Sequence, residues 1–414
     1  MHPMTTAALP DKAGDRELSV DEAMRAIAAL APAVTGQERV ALALARHRIL
    51  ALAVHAQADL PGFDNAAMDG YALRHAEAAQ PLREVGRALA GHPYEQPVPP
   101  GACVRIMTGA AVPGGTDTVV MREDTRIAND CIVIDRVPAA GANIRRRGEH
   151  IAAGAAVCAD GHRLRSIDLA LLAGLGSTQV AVRPRLRIGV LSTGDELADA
   201  PAPLSPAGGY DANRPLLRGL LEGLGFDVVD LGICADRAGD FDAALRRARD
   251  DALHALLVSG GAALGDADIV RRADAVRFVP IAARPGRGIA VAQLGGASSC
   301  LLLGLPGNVV AAYVLFQLVA RPVLLRCAGA PLAPTPHVPL RLARDVHVRG
   351  GRVDYLRARF VDDAELGRAL EPLAMQSSSA LRSVTEADAL MAIGPQADYR
   401  RGDTVQALLL AALD

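Results

Sequence analysis

From Arg183-Pro184-Arg185 onward the chain repeats strand, helix, strand, helix, and that rhythm leaves few folds open. Arg187–Leu191 reads as a short buried strand, Pro215–Leu224 as a helix closed by Gly225, and Val228–Leu231 as a strand. Asp240 is placed to cap a helix reaching about Ala252. Ala255–Val258 and Leu301–Leu303 read as strands, and Val309–Leu325 as a helix. Such alternation predicts a doubly wound α/β domain on a parallel sheet with right-handed crossovers.

The rest of the chain is patterned differently. At 414 residues there is room for about two to four domains. Ser19 and Glu22 have the spacing of a capping box for a helix to Leu30, and a second apolar-rich helix is expected from about Gln37 to Ala51. Between Val54 and Val182 short β-prone runs alternate with Gly/Pro turns (Val104–Met107, Thr118–Met121, Cys131–Val137), before a helix near Ile167–Leu175. After Gly329 a proline-rich linker precedes alternating runs, His337–Leu342 and Val353–Phe360, that read as a small β-barrel or sandwich. The expected fold is multidomain α/β. A small α/β module spans 15–53 plus 155–182, and a β-rich module spans 54–154. The central α/β domain covers 183–329 and a C-terminal β-barrel domain 330–414.

Composition removes several functions. The net charge of −2 leaves no electrostatic footprint for nucleic acid or an anionic membrane, and scarce aromatics offer no base-stacking platform. The six cysteines show no C-x-x-C pair, so reduced thiols packed as small hydrophobes are expected. The apolar run Cys300–Leu325 contains Pro306, Gly307, Asn308, Gln317 and Arg321, which suits a buried strand, turn and helix better than a membrane span. With no apolar run near the N-terminus, a cytoplasmic protein is expected.

In open α/β sheets, ligands bind beyond the carboxyl ends of the strands. Three strands here end in polar glycine loops: Ser192-Thr193-Gly194-Asp195-Glu196, Ser259-Gly260-Gly261, and Gly304-Leu305-Pro306-Gly307-Asn308. Glycines let backbone N–H groups approach an anion, and helix starts favour negative charge. Any one loop is explained as a turn; three on one sheet edge point to a phosphorylated small molecule. No P-loop, dinucleotide fingerprint, nucleophile elbow or H-E-x-x-H string occurs. Asp195, Glu196, Asp266 and Asp268 bring hard carboxylate oxygens to these loops, suited to Mg²⁺. Acids also cap helices, and for Asp266 the two readings stand level. Arg284 and Arg287, in Arg284-Pro285-Gly286-Arg287, are candidate anion clamps.

Two further strings lie in the β-rich half, P-G-F-D-N-A-A-M-D-G-Y-A containing Asp69 and R-I-M-T-G-A-A-V-P containing Thr108. With N-I-R-R-R-G-E, L-S-T-G-D-E-L, Y-D-A-N-R, S-G-G…G-D-A-D, R-P-G-R-G and L-P-G-N, they occur in an order and spacing that resembles the molybdopterin molybdenumtransferase family, which includes the gephyrin E domain. The resemblance implies a homodimer that takes adenylylated molybdopterin and molybdate, inserts the metal and releases AMP with Mg²⁺ assisting. It implies that the α/β domain of one subunit faces the β-rich module of its partner. Asp69, Thr108, Glu196 and Asp268 would then be catalytic, with Glu196, Asp266 and Asp268 on the metal. Ser192, Thr193, Gly194, Ser259, Gly260, Gly261, Arg284, Arg287, Pro306, Gly307 and Asn308 would hold phosphate, pterin or oxyanion. A molybdopterin adenylyltransferase and molybdoenzyme maturation factors are the protein partners it suggests.

The departures from the family pattern cluster around the expected molybdate pocket. Arginines 284 and 287 replace lysines, Gly288 a proline, Ala263 and Ala311 serines, and Val309 a proline. The aspartate usual after R-G-E is His150. Arginine also binds oxyanions, and Lys12 is the chain's only lysine. Two lost hydroxyls would remove about 1–3 kcal/mol of hydrogen bonding. A divergent, non-catalytic molybdopterin carrier or scaffold is the alternative, and tungstate an alternative oxyanion.

Overall fold

The computed structural model describes residues 16–31, 33–260, 276–295, 299–395 and 398–413. Its centre is a six-stranded sheet in the order Asp227–Cys234, Arg187–Thr193, Ala255–Ser259, Cys300–Leu305, Gly288–Leu294, Arg277–Pro280. The first four strands are parallel, as the alternation predicts. Gly288–Leu294 runs antiparallel to both its neighbours, so the sheet is mixed rather than all-parallel. The connections before and after Gly288–Leu294 are too short for a crossover, which needs a dozen or more residues, and a short connection forces reversal.

Helices cover both faces. On one, Val20–Leu30, Asn213–Gly223 and the long helical stretch from Val309 to Cys327 enclose Val190, Leu257, Leu303 and Leu305. On the other, Ala238–Asp250 packs Phe241 and Leu245 against Leu191, Leu256 and Leu302. Asp240 does not cap that helix: Arg237 is the N-cap and Asp240 sits in the first turn, 3.1 Å from the Arg237 guanidinium. The stretch Val309–Cys327 has the length and hydropathy of a membrane span, yet 78% of its apolar window is buried as core. The capping box at Ser19 forms as expected, with Glu22 N–H donating to the Ser19 hydroxyl and Ser19 N–H to the Glu22 carboxylate.

The helix expected over 37–51 is absent. Glu38–Ala41 is a strand paired antiparallel with Gln179–Val182, followed by a 3₁₀ turn, Leu42–Leu44. Pairing with a strand more than a hundred residues away overrides an apolar local pattern, and His47 with φ 65° excludes a continuous helix.

In the β-rich half a four-stranded sheet runs Arg83–Ala88, Ala102–Ile106, Gly70–Leu73, Thr118–Met121. Short antiparallel pairings join it to the rest, Val54–His55 with Ala156–Cys158 and Asn65–Ala66 with Ile144–Arg145. At the C-terminus, Gly367–Pro372, Val353–Asp363, Ala389–Ile393, Thr404–Leu409 and Val338–Arg341 pair in that order. A bridge between Leu342 and Leu370 brings the ends together in a barrel-like closure. Ala283–Arg284 adds a parallel edge to Val353–Asp363, which seats this unit on the α/β domain and sets Arg284 beside Asp354. All six cysteines are free, and burial pushes the thiols of Cys103, Cys300 and Cys327 up to about 12, as packed small hydrophobes should be.

Candidate active site

Three parallel strands deliver the loops to one edge. Ser192 and Thr193 are the last residues of their strand rather than loop residues, and Ser192 stands in register with Ser259 on the next strand. Both serines and Thr193 are buried, and no described residue hydrogen-bonds their hydroxyls. Buried hydroxyls normally find partners, so three orphans at one sheet edge mark a place built for something else to bond. Gly260, with φ 88°, packs so tightly that a Cβ there would lie 2.4 Å from the Thr193 carbonyl oxygen. A Cβ on Gly307 would touch Gly260 Cα at 3.6 Å, so two backbones meet where the sequence placed its anion loops. The Glu196 carboxylate folds over Gly194, is exposed, and has no described cation partner. Asp195 is occupied, accepting from Asp236 N–H at 3.0 Å. Gly261, Asp266 and Asp268 lie outside the described residues, as does Ala263. Among the described residues no cluster of three metal-ligating side chains forms; Glu196 is the one proposed metal ligand that can be placed.

The string Y-D-A-N-R proves to be the support of this edge. Asp211 accepts from the N–H groups of Asn213 and Arg214 at the start of the helix Asn213–Gly223. Arg214 pairs with Asp199, Asp211 and Asp230. Asn213 Nδ2 then donates to the Gly307 carbonyl at 2.6 Å. That bond orients the amide and leaves Asn213 Oδ1 as an acceptor, buried and without a partner among the described residues. The string was visible in the sequence; that its amide crosses to a turn 94 residues away was not.

The Pro306-Gly307-Asn308 turn has a second side. Pro306 and Asn308 line a cleft of about 830 Å³ between the α/β domain and the C-terminal unit, with Arg284, Arg287 and Ala311. The opposite wall, unanticipated, brings Arg349, Arg352, Asp354, Arg357, Gln376 and Ser378. Arg284 is steadied by Asp354, with both carboxylate oxygens at 3.3 Å, and by the Gly350 carbonyl at 3.0 Å. Arg352 is paired with Glu17. Arg287 and Arg349 are exposed and make no described ion pair.

Arg357 is the unusual one. It is 1% exposed, and its guanidinium bonds only neutral oxygens, those of Ser383 Oγ, Tyr355 and Ser377. Burial pushes its pKa down to about 10. A buried cation with no carboxylate is costly unless an anion completes it. The sequence carried one signal for it: in the alternating strand Val353–Asp363, Arg357 shares the apolar face of Val353 and Tyr355. Gly288 reads differently once placed. A Cβ there would lie 2.2 Å from the Val279 carbonyl and 2.6 Å from the Phe278 ring, so the glycine answers a close approach. Ala311 does line the cleft without a hydroxyl, while Ser378 supplies one on the other wall.

Asp69 and Thr108, on two separate strings of the β-rich half, meet in the structure. The backbone N–H and hydroxyl of Thr108 each donate to Asp69 Oδ1 at 2.7 Å. Those two bonds, with Arg105 and Arg122 nearby, hold the Asp69 carboxyl below its ordinary range. The pair is exposed, and it is not among the described residues that line the arginine cleft of its own chain. Gly70 next to it admits no side chain, since a Cβ would sit 1.8 Å from the Val120 carbonyl oxygen.

Comparison with known proteins agrees along most of the chain. Family models match as "MoeA N-terminal region (domain I and II)" over residues 18–176, "Probable molybdopterin binding domain" over 189–326, and "MoeA C-terminal region (domain IV)" over 339–410. A molybdopterin molybdenumtransferase of Haemophilus influenzae is 36% identical over 348 residues, covering 82% of this chain and 85% of the relative. The protein so named from Bacillus subtilis is 31% identical, covering 95% and 94%. A solved molybdopterin biosynthesis MoeA protein of Pyrococcus horikoshii shares the fold with a TM-score of 0.71 at 26% identity, covering 95% of this chain and 99% of that one. Similarity of this extent, with all three family models in order, places the chain in the molybdopterin molybdenumtransferase (MoeA) family.

Proposed function

We propose that this chain inserts molybdate into adenylylated molybdopterin and releases AMP. Membership of the family makes it a molybdopterin molybdenumtransferase of molybdenum cofactor biosynthesis; the adenylylated form, the oxyanion subsite and the residue roles are our reading. One observation carries that reading. The Pro306-Gly307-Asn308 turn is a common wall between a glycine edge suited to phosphate and an arginine cleft holding an uncompensated buried cation. Phosphate and oxyanion are thereby held a few residues apart, the proximity that metal transfer needs.

The residues divide the work. Ser192, Thr193, Ser259 and the backbone of Gly194, Gly260, Gly261 and Pro306–Asn308 bind the phosphate-pterin end. Arg284, Arg287 and Arg357 hold the oxyanion. Glu196, with Asp266 and Asp268, would hold Mg²⁺, whose chemistry is to neutralise charge developing on the phosphoanhydride. The exposed Glu196 carboxylate fits a hard cation. Asp69 and Thr108 complete the cleft from a partner subunit, because they do not reach it in their own chain. We place the protein in the cytoplasm, as a homodimer, in exchange with the adenylyltransferase that supplies its substrate. Supplying adenylyl-molybdopterin, molybdate and Mg²⁺ tests the reading by AMP release. Release at background rates would leave the carrier reading, which Ala311 in the cleft wall favours. Mixing Asp69→Asn and Glu196→Gln chains tests the shared site: recovered activity supports it, and inactive mixed dimers oppose it.

A further inference from the structure

Among the described residues the arginine cleft contains one carboxylate, and its position is peculiar. Asp354 is 7% exposed, stands in register with Arg284, and engages that guanidinium through both oxygens at a long 3.3 Å. It lines both the main cleft and a second, shallower one of about 670 Å³ that continues outward past Arg344, Asp345 and His347. A carboxylate among arginines that await a dianion does two opposed things. It steadies one cation, and it repels the ligand while occupying the cation the ligand needs.

We infer that Asp354 is a tethered competitor for the oxyanion: it holds Arg284 while the cleft is empty and weakens oxyanion binding, so that the metal oxyanion is passed on rather than trapped. The inference rests on the reading of this cleft as the oxyanion subsite. The geometry favours competition over support. Arg284 is already fixed by the Gly350 carbonyl at 3.0 Å, a shorter bond than either to Asp354. Arg357 takes no support from Asp354, its guanidinium bonding only three neutral oxygens. Two aligned carboxylate–guanidinium contacts at normal length would have argued for a rigid brace; these are stretched.

Burial raises the Asp354 pKa, against the pull of Arg284, Arg349 and Arg352. As pH falls through that raised value the carboxylate is neutralised and its repulsion disappears. Oxyanion affinity should therefore climb toward acid. Arg344, Asp345 and His347 line the outer cleft beside it, so the Asp354→Asn profile is needed to isolate this carboxylate.

The test is calorimetric titration of the full-length protein. Molybdate at neutral pH is compared between the natural protein and Asp354→Asn; removing one nearby negative charge should tighten binding about ten-fold after screening. Sulfate, which stays a dianion, is titrated from about pH 7 down to about pH 4, so that the range reaches the ordinary carboxylate pKa. The natural protein should bind it more tightly as pH falls, and Asp354→Asn should show a flatter profile. Weaker or unchanged molybdate binding by Asp354→Asn makes the residue a brace and overturns the inference. Should that variant not fold, a flat sulfate profile for the natural protein overturns it alone. If the natural protein binds neither anion, the oxyanion subsite itself is wrong, a distinct failure.

Discussion

Replacing Arg357 by methionine separates a binding cation from a structural one. Methionine fills much of the same volume without charge. For stability two terms oppose. The fall of the pKa from the ordinary 12.5 to about 10 means that burial disfavours the cation by roughly 3 kcal/mol, which methionine relieves. Against that stand three lost hydrogen bonds to Ser383, Tyr355 and Ser377, worth about 0.5–1.5 kcal/mol each. The terms nearly cancel, and the folding free energy should move by less than about 2 kcal/mol. For binding nothing cancels. Removing one member of a buried ion pair costs about 2–5 kcal/mol, so near 3 kcal/mol the dissociation constant for molybdate rises about 100-fold. Urea unfolding gives the first quantity and calorimetric titration with molybdate the second. Saturating molybdate should also raise the melting temperature of the natural protein and leave the variant's almost unchanged. A variant that binds molybdate within about three-fold of the natural protein would show that Arg357 serves packing alone. One that loses more than about 4 kcal/mol of stability would refute the cancellation.

Two changes probe the shared wall. Asn213→Asp replaces the donor to the Gly307 carbonyl with an acceptor; the turn should loosen, costing about 1–3 kcal/mol in thermal unfolding and lowering AMP release. An unchanged melting temperature and rate would mean that the amide bond is incidental. Gly260→Ala forces a Cβ to within 2.4 Å of the Thr193 carbonyl at φ 88°, so substrate affinity should fall by at least about ten-fold while the far C-terminal barrel keeps its hydrogen-exchange protection. Full affinity in that variant would remove the close approach of the two loops from the argument.

The strand-end loops were legible because glycine, small hydroxyls and strand rhythm are local properties. Ser192, Thr193, Ser259 and Gly260 all stand together at one edge. Two features were hidden by distance. The mixed sheet depends on Gly288–Leu294, whose neighbouring sequence R-P-G-R-G looks like a loop, and only the short connections on both sides reveal the reversal. The arginine cleft depends on Ala283–Arg284 adding to a strand some seventy residues later, and no periodicity encodes which strand accepts an edge partner. The expected helix over 37–51 failed for the same reason, its residues being claimed by Gln179–Val182. Gly288 taught the converse: a departure from the family pattern beside the expected oxyanion pocket answers a backbone requirement.

Ala311→Ser addresses the remaining departure, and its outcome is smaller than simple addition of a hydroxyl suggests. Position 311 is buried in the first turn of the helix that begins at Val309 and faces the cleft. A serine there has two acceptors within its own turn's reach, the oxyanion and the carbonyl three residues earlier. That carbonyl belongs to the N-cap Asn308, which already accepts from Ala312 N–H. A hydroxyl turned backward would share this acceptor and give the ligand nothing. A full new hydrogen bond would be worth about 0.5–1.5 kcal/mol, roughly two- to twelve-fold in affinity. Division between the two acceptors puts the expected gain near the bottom, about two-fold. Molybdate titration of the variant decides it. A gain above about ten-fold would show that the hydroxyl points only into the cleft and that the missing serine had limited oxyanion binding all along.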